Sequence, residues 1–341
     1  MPDPDTTRKS SRLGLYIPFG LLGLAIIAWT AAWFWARGQV ESRLDSAQAA
    51  LRKAGYELSW ESRSVDGFPY RLNITLIEPR IADPSGWAIA TPRLEGQTYL
   101  LSAGHWMIAA TEGLTFTRPM GGPVTVTGDI LRASLRHMER RPPNISFEGV
   151  KLRFAPGAGA MPFALSAADR VELHFRAGPD DEGGVFAKVE GGKARLSGLF
   201  ARIAEDKPIT MTWNSTLSKM SAFRGNNWPQ AVRAWTAAGG RITVRDAGVT
   251  AGEAVIGTRN GTLTVGADGR IRGALDLSLR QAPKTIAAMG ETGAIPPTAA
   301  VAAAVVAQAR QQGDIVRATL TFQAGQITLG PVALAPAPRV Y

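Results

Sequence analysis

The sequence predicts an α+β protein in which one N-terminal transmembrane helix precedes large, curved, mostly antiparallel β-sheets with a few covering helices. Three observations support this fold class. A long segment near the start has no charged residue, the remainder alternates polar and apolar residues in short runs, and Gly and Pro number 37 and 22. Alternation with a period of two is typical of strands with one buried face, and Gly and Pro supply the turns between them.

The uncharged segment Leu13–Ala36 is predicted to cross a membrane. As an α-helix it would be about 36 Å long, whereas the hydrocarbon core of a bilayer is about 30 Å thick. Trp29, Trp33 and Trp35 lie near its end, and because indole rings favour the headgroup level they predict a membrane-interface belt. A cleaved signal peptide is the alternative, although its apolar part normally spans only about 7–15 residues.

Charges at the start of the chain predict the orientation. Arg8, Lys9 and Arg12 precede the apolar segment, and a short basic tail favours a cytoplasmic location for residues 1–12. The protein is therefore expected to be a single-pass membrane protein, with its N-terminus cytoplasmic and its bulk outside the cytoplasm.

Composition also indicates partners. The formal net charge of +10 is spread along the chain, which fits an anionic membrane surface better than nucleic acid, whose binding proteins concentrate their charge. The membrane bilayer is the expected partner, and the alternative interpretation of the spread charge is an ordinary solvated basic surface. No nucleic acid is expected.

The rest of the chain divides into a helix and two strand-rich halves. Residues 37–55 predict a membrane-proximal helix, since apolar residues recur there at steps of three and four, and Gly55 is expected to end it. Residues 56–200 form the predicted N-terminal β-rich half and residues 201–341 the C-terminal half, with a boundary near 198–208.

Alternating runs locate individual strands. Arg71–Ile77 is the clearest in the N-terminal half, with its apolar residues on one face. Further strands are predicted at 124–135, 145–154, 170–175, 185–196, 209–217, 241–244, 262–265, 270–280, 315–322 and 326–334. Short turns that contain Gly, at 267–269 and 323–325, predict two hairpins.

The covering helices are predicted in the C-terminal half, near 227–238 and 283–312. The best signalled is 228–238, where Asn227 is a suitable N-cap and Pro229 suits the first turn. Two more are expected at 283–289 and 297–312, and together they are candidates for a lid or buttress across the sheet.

No catalytic site is evident. The chain has no Cys, which excludes disulfides, thiol catalysis and zinc sites of the cysteine type. His105, His137 and His174 lack a second ligand at metal-binding spacing, and there is no G-x-S-x-G motif. No catalytic, cofactor-binding or metal-binding residue is predicted, no cofactor is expected, and the protein is expected not to be an enzyme.

One segment is a candidate corner. Gly67, Phe68, Pro69 and Tyr70 follow Asp66 in a turn signal, and Pro69 keeps Phe68 out of the helical conformation. These four residues either form a structural corner that starts a strand or contribute to binding, and the sequence leaves both open.

Several motifs follow one another in order. They are Gly67-Phe68-Pro69, Trp87, Thr91-Pro92-Arg93-Leu94, Tyr99, a Trp-containing helix that ends in Ala237-Ala238-Gly239-Gly240, and Gly325-Gln326-Ile327-Thr328-Leu329-Gly330-Pro331-Val332. Together with the anchor they resemble the bacterial family called domain of unknown function 2125 over nearly the whole chain. The resemblance implies no catalytic residues.

That family is in turn similar in layout to AsmA-like envelope proteins, which have one N-terminal anchor and long curved sheets. AsmA-like proteins are associated with phospholipid movement and outer-membrane upkeep. By this fold analogy, the resemblance implies a protein anchored in the bacterial inner membrane, with a periplasmic bulk that binds or guides phospholipid or another envelope lipid on an apolar sheet face. A non-catalytic scaffold or assembly partner for other envelope proteins is the alternative.

Overall fold

The computed structural model describes residues 13–102, 104–140, 143–194, 207–225, 227–251, 254–280, 286–287, 290–291, 295–309, 311–312, 315–330 and 332–341. Within this part of the chain, a long N-terminal helix is followed by one antiparallel β-sheet of 21 strands and by shorter helices. The α+β fold class, with its single N-terminal apolar helix, is confirmed.

Helix α1, Leu13–Lys53, is one continuous element of 41 residues that contains both the apolar segment and the predicted membrane-proximal helix. Its apolar part is long and apolar enough to cross a membrane, and only 6% of that part is buried against protein. The helix stops before Gly55, whose φ of 86° lies in the left-handed region that favours glycine. The remaining length of α1 lies beside the sheet.

The first ten strands are short and occur as consecutive pairs. They are β1 (Glu57–Ser59), β2 (Ser62–Asp66), β3 (Arg71–Ile77), β4 (Arg80–Ala82), β5 (Ala88–Ala90), β6 (Arg93–Tyr99), β7 (His105–Ala109), β8 (Leu114–Arg118), β9 (Gly122–Thr127) and β10 (Ile130–Arg136). The order β2–β3–β6–β7–β10 forms one run of neighbours, and β1–β4–β5–β8–β9 forms the other. Each consecutive pair is thus one long strand, bent at its middle.

The remaining strands continue the same meander. They are β11 (Asn144–Pro156), β12 (Leu165–Ala177), β13 (Gly183–Ala194), β14 (Ile209–Leu217), β15 (Ile242–Ala251), β16 (Ala254–Val265), β17 (Ile271–Arg280), β18 (Gln311–Gln312), β19 (Ile315–Gln323), β20 (Gln326–Leu329) and β21 (Val332–Pro336). One edge of β11 pairs with both β10 and β9, so β11 joins the two runs. From β11 to β21 the neighbours follow chain order, except that β17 pairs with β19, and β18 pairs with β19 as well.

The bends of the early strands lie side by side and form a crease across the sheet. Thr91 occupies this crease, and its buried hydroxyl donates its one hydrogen to the Gly113 carbonyl oxygen at 2.7 Å, with the Arg93 carbonyl oxygen at 3.0 Å as a second acceptor within reach. At the same level Glu78 and Lys151 adopt positive φ angles of 48° and 50°. The crease is therefore held by specific hydrogen bonds, and Thr91-Pro92 of the family motif has a structural role in it.

Two helices of the C-terminal half pack on the sheet. Helix α2, Trp228–Ala237, begins at the predicted N-cap, where the side-chain oxygen of Asn227 accepts from the Gln230 amide at 3.0 Å. Helix α3, Pro297–Ala309, stops short of its predicted end because residues 311–312 form β18. Of the predicted helix 283–289 only residues 286–287 are described, and they are helical.

The two hairpins joining β16 to β17 and β19 to β20 are confirmed, and every strand predicted from 124 to 334 overlaps an observed one. The predicted strand 124–135 is divided at residues 128–129, because the crease separates β9 from β10. The strands missed are β18, which was predicted as the end of a helix, and those between residues 57 and 118 apart from β3. The proposed division into two halves stays a prediction, since much of the boundary lies outside the described residues.

Candidate functional site

The candidate site is built on one continuous apolar face of the sheet. Directly paired residues share a face, so the strand register identifies a single transverse row. The row consists of Val65, Ile74, Gly96, Ile108, Ala133, Phe147, Leu173, Ala187, Trp213, Ala247, Thr258, Leu277 and Ala318. We call it the apolar row. Thr258 is its one polar member, and at about 4.8 Å per strand the row has a contour of roughly 58 Å.

Among the described residues, helices cover the two ends of this face but not its middle. Near β3 the face packs against α1, and near β19 the buried side chains of Leu279 and Val316 pack against the alanines of α3. Between them Leu173 keeps 48% of its surface exposed, and Met211 and Ile145 are also exposed. A large, contiguous apolar surface is uncommon on a soluble domain and usually marks a binding surface.

The opposite face is charged. Arg132 donates to Glu148 through Nε at 2.8 Å, and Arg170 reaches the other oxygen of the same carboxylate at 2.8 Å. These arginines hold the pKa of Glu148 below its ordinary value, mainly through the Arg132 hydrogen bond. Lys188 and Glu190 form another ion pair further along. The sheet is thus polar towards solvent on one side and apolar on the other, as antiparallel sheets commonly are.

A groove of about 500 Å³ separates α1 from the apolar face, within the range typical of ligand pockets. On the helix side its lining residues are Trp35, Ala36, Gln39, Val40, Arg43 and Leu44. They recur at steps of four, so they form one face of α1. The groove therefore begins where the predicted membrane segment ends. We call it the helix–sheet groove.

The sheet side of the groove is formed by apolar residues of β3, β6, β7 and β10 and of the turn that follows β10. These lining residues are Leu72, Ile74, Leu76, Leu94, Gly96, Trp106, Ile108, Leu135 and Met138. Gly96 leaves room in this wall, since a Cβ atom there would lie 3.8 Å from both Ile74 and Trp106. The groove thus has walls suited to hydrocarbon.

Polar side chains at the groove are few. Gln39 and Arg43 line it from the helix. Within the described part of the chain no carboxylate pairs with Arg43, whereas Arg37 pairs with Glu41 at 3.1 Å. An unpaired guanidinium beside an apolar groove suits a phosphate or carboxylate group attached to a hydrocarbon chain.

The groove is kept in place by the contact between α1 and the predicted corner. The indole N–H of Trp29 donates to the Pro69 carbonyl, and that of Trp33 donates to the Arg71 carbonyl, both at 2.8 Å. Trp33 is only 3% exposed and packs on Val65. These bonds join the end of the apolar segment to the beginning of β3.

The corner itself has a defined shape. Gly67 has a φ of 102°, and a Cβ atom there would lie 2.8 Å from the Arg71 carbonyl oxygen, so only glycine fits without strain. The ring of Phe68 meets Trp33 edge to face at 5.5 Å, and Tyr70 approaches Trp29 at 6.3 Å. The structure thus brings together two sets of residues that the sequence singled out separately, the corner and the tryptophans.

The three tryptophans have different surroundings. Trp35 is 69% exposed and lines the groove, Trp33 is buried against the sheet, and Trp29 contacts the corner. Whether they form a membrane-interface belt stays a prediction.

The histidines are placed separately. His137 lies 3.1 Å from Glu139 at the surface, and His174 stacks on Phe186. His105 belongs to β7. Among the residues that the structure describes, no group of three His, Asp or Glu side chains is arranged to hold a metal ion.

Sequence reasoning did not find the groove. Two local patterns mark its walls, the four-residue spacing of the lining face of α1 and the alternation of β3. Neither pattern indicates that an open space separates the helix from the sheet. The missed residues Gly96, Trp106 and Ile108 lie in strands that were also missed. Their register, which depends on pairing between distant segments, is what places them in the wall.

Comparison with known proteins places the chain in a family. The model of a bacterial family described as uncharacterized protein conserved in bacteria (DUF2125) matches residues 33–338. No curated protein and no solved structure matches the chain.

Proposed function

The chain belongs to the bacterial family DUF2125, and we propose that it is an inner-membrane-anchored periplasmic protein that binds lipid in the helix–sheet groove and guides it along the apolar row. The observation that supports this most strongly is the groove itself, an apolar space that no described segment of the chain fills. The role is one of non-covalent binding, without a catalytic step.

The location of the groove supports a membrane lipid as its ligand. Trp35 and Ala36 end the apolar segment and also line the groove, so an acyl chain leaving the bilayer beside α1 would meet the groove first. Each buried methylene contributes about 0.8 kcal/mol, so about eight methylenes would contribute roughly 6 kcal/mol before ordering costs. Arg43 would bind the anionic headgroup.

The apolar row supports movement beyond the groove. It begins with Val65 and Ile74 beside α1, and it continues without a charged residue to Ala318 under α3. A hydrocarbon chain lying across the strands would remain in contact with apolar side chains along this path. The fold analogy with AsmA-like proteins supports the same proposal.

A groove-filling variant tests the lipid proposal. Gly96→Leu places a side chain in the groove, and the φ of Gly96 lies outside the left-handed region, so the backbone accepts it. Gly184→Leu is the matched control, since Gly184 lies on the opposite face of the sheet, where a Cβ atom would be 3.9 Å from its nearest neighbour.

The measurement is crosslinking of a photoactivatable phospholipid to the full-length protein in reconstituted membranes, with the labelled peptides mapped. Wild type and Gly184→Leu should be labelled in α1 near residues 35–44 and in β6 or β7, and Gly96→Leu should lose most of this labelling. Equal labelling of the two variants, or no labelling of these segments in wild type, would contradict the proposal.

The topology has its own test. A periplasm-active reporter fused after Tyr341 should be active, because the basic residues before α1 favour a cytoplasmic N-terminus. A reporter active only in the cytoplasm would overturn the periplasmic assignment, and recovery of the soluble chain without its first thirty or so residues would overturn the anchor.

A scaffold role is the second candidate, favoured by the outer surface of α3. Val301 and Val305 are exposed there, on the side of the helix away from the sheet. Crosslinking in cells that captures a stable protein neighbour through α3, with no lipid in the groove, would favour the scaffold over lipid binding.

A further inference from the structure

We propose that the turns at residues 67–70 and 99–102 form a second membrane contact beside α1, which seats the sheet directly on the bilayer surface. This inference rests on the proposed function, because it requires α1 to cross the membrane. It adds that the sheet has a fixed position against the bilayer, with the helix–sheet groove held at the membrane surface.

The depth of the first turn is set by α1. Trp29 and Trp33 hold the carbonyl groups of Pro69 and Arg71, and both tryptophans lie inside the apolar segment Leu13–Ala36. At 1.5 Å per residue, Trp29 lies about 10 Å along the helix axis before Ala36. The turn therefore lies level with the last third of the apolar segment, which runs from the outer part of the hydrocarbon core into the headgroup region.

The second turn lies beside the first. Arg71 pairs with Tyr99 in the register of β3 and β6, and the Leu100 amide donates to the Tyr70 carbonyl oxygen at 3.0 Å. The guanidinium of Arg71 lies over the Tyr99 ring, 5.2 Å from its centroid. The two turns thus form one surface at the same end of the strands.

This surface exposes large apolar side chains. Tyr70 and Leu101 are 67% and 84% exposed, and Phe68 and Tyr99 are each about half exposed. Aromatic rings with an adjacent arginine are typical of protein surfaces at the headgroup level, where the rings enter the acyl boundary and the cation reaches phosphate.

One carboxylate sets the depth limit. Asp66 precedes the first turn and accepts a hydrogen bond from the Asn73 side chain at 3.2 Å. A charged carboxylate is unfavourable in hydrocarbon, so the surface is placed among the headgroups, with only its ring and leucine tips entering the acyl region. A bilayer is favoured over a protein partner because the adjoining length of α1 is itself membrane segment.

Labelled single-cysteine variants test whether this surface contacts the bilayer. The chain has no Cys, so Leu101→Cys, Met120→Cys and Ile26→Cys each provide one labelling site for an environment-sensitive fluorophore in the full-length protein in liposomes. Met120 is the matched control: it is 92% exposed and lies in the turn between β8 and β9, at the opposite end of the bent strands. Ile26 reports on α1 itself.

We expect the label at 101 to be quenched by spin-labelled phospholipid, protected from iodide and blue-shifted, as at 26, and the label at 120 to show the reverse. If the label at 26 lies in lipid but the label at 101 is quenched only by iodide, the second membrane contact is contradicted and the transmembrane anchor is not. If the label at 26 is quenched by iodide, both the transmembrane position of α1 and the second membrane contact are contradicted.

A label at 101 that is protected from both quenchers would show that protein covers the surface. This result would also contradict the second membrane contact. Tyr70→Cys serves as a second site on the same surface and should behave like the label at 101. Labels at 70 and 101 that disagree would contradict a common surface.

Discussion

Single residues join the apolar helix to the sheet. Trp33 buries its ring on Val65 and donates its indole N–H to the Arg71 carbonyl oxygen at 2.8 Å, so one side chain supplies both packing and a hydrogen bond. Trp35, two positions later, faces the groove and remains exposed. The same residue type therefore has different energetic roles within one turn of helix.

Replacing the buried tryptophan should loosen this junction. Trp33→Phe removes the indole donor and leaves the Arg71 carbonyl unpaired in a partly buried site, which costs about 1 kcal/mol or more. Thermal unfolding of the full-length protein in detergent should show a lower midpoint for Trp33→Phe than for the control Trp35→Phe. Equal midpoints would contradict this role for Trp33.

Acid should remove the stabilisation that Glu148 gains from Arg132 and Arg170. Because the folded pKa of Glu148 is lowered, its contribution is fully present above the unfolded value of about 4.3 and is lost as pH falls through the folded pKa. Both arginine side chains are nearly half exposed, so each pair contributes only about 0.2–1 kcal/mol.

Thermal unfolding at several pH values provides the measurement. Wild type should unfold at a higher temperature than Glu148→Gln at pH 7, and the gap should narrow below about pH 4.3. Glu112→Gln serves as the control, since Glu112 lies in an exposed turn. A gap between wild type and Glu148→Gln that does not depend on pH would contradict the predicted linkage.

At the scale of elements, small residues decide how closely helix α3 approaches the sheet. Ala300, Ala303 and Ala307 are buried against Leu279 and Val316, whereas Val301 on the outer side is exposed. Alanine at the contact positions permits a short distance between helix and strand. The alanine-rich composition of α3 therefore has a packing reason in addition to its helix propensity.

A larger side chain at the contact should be unfavourable. Ala303→Leu overpacks the contact between α3 and β19 and should cost about 1–3 kcal/mol in the free energy of unfolding. Val301→Leu, two positions away on the exposed side, should leave stability nearly unchanged. Chemical denaturation of both variants measures the difference, and similar midpoints would show that α3 does not pack on the sheet at Ala303.

At the scale of the whole molecule, the meander turns a local alternation into one continuous surface. Thirteen of the 21 strands each contribute one residue to the apolar row, and the strand register keeps these residues on the same face because paired residues share a face. α1 borders one end of this surface and α3 the other. The apolar path along the row therefore arises from the register between strands and cannot be seen in any one strand.

The open middle of the row should contact lipid. A photocrosslinking amino acid at Leu173 or Met211 should capture phospholipid in membranes of cells that make the full-length protein. The same amino acid at Glu172 or Thr212, which face the opposite side of the sheet, should capture little. Equal capture from the two faces, measured by mass spectrometry, would contradict guidance along the row.

The sequence by itself determined the uncharged helix, most strands from residue 124 onward, both Gly-containing hairpins and the capped helix α2. These features depend on contacts between near neighbours in the chain, such as the bond from the Gln230 amide to Asn227. Local periodicity and turn chemistry are sufficient to predict them.

Only the tertiary structure decided the register, the crease and the groove. The short strands between residues 57 and 118 carry little periodic signal, and they are stabilised by pairing with partners distant in the chain, as when Ile108 lies opposite Ala133. The contact of Trp29 and Trp33 with residues 69 and 71 likewise joins segments about 40 positions apart. Such contacts depend on how the whole sheet bends, and no local pattern encodes that bend.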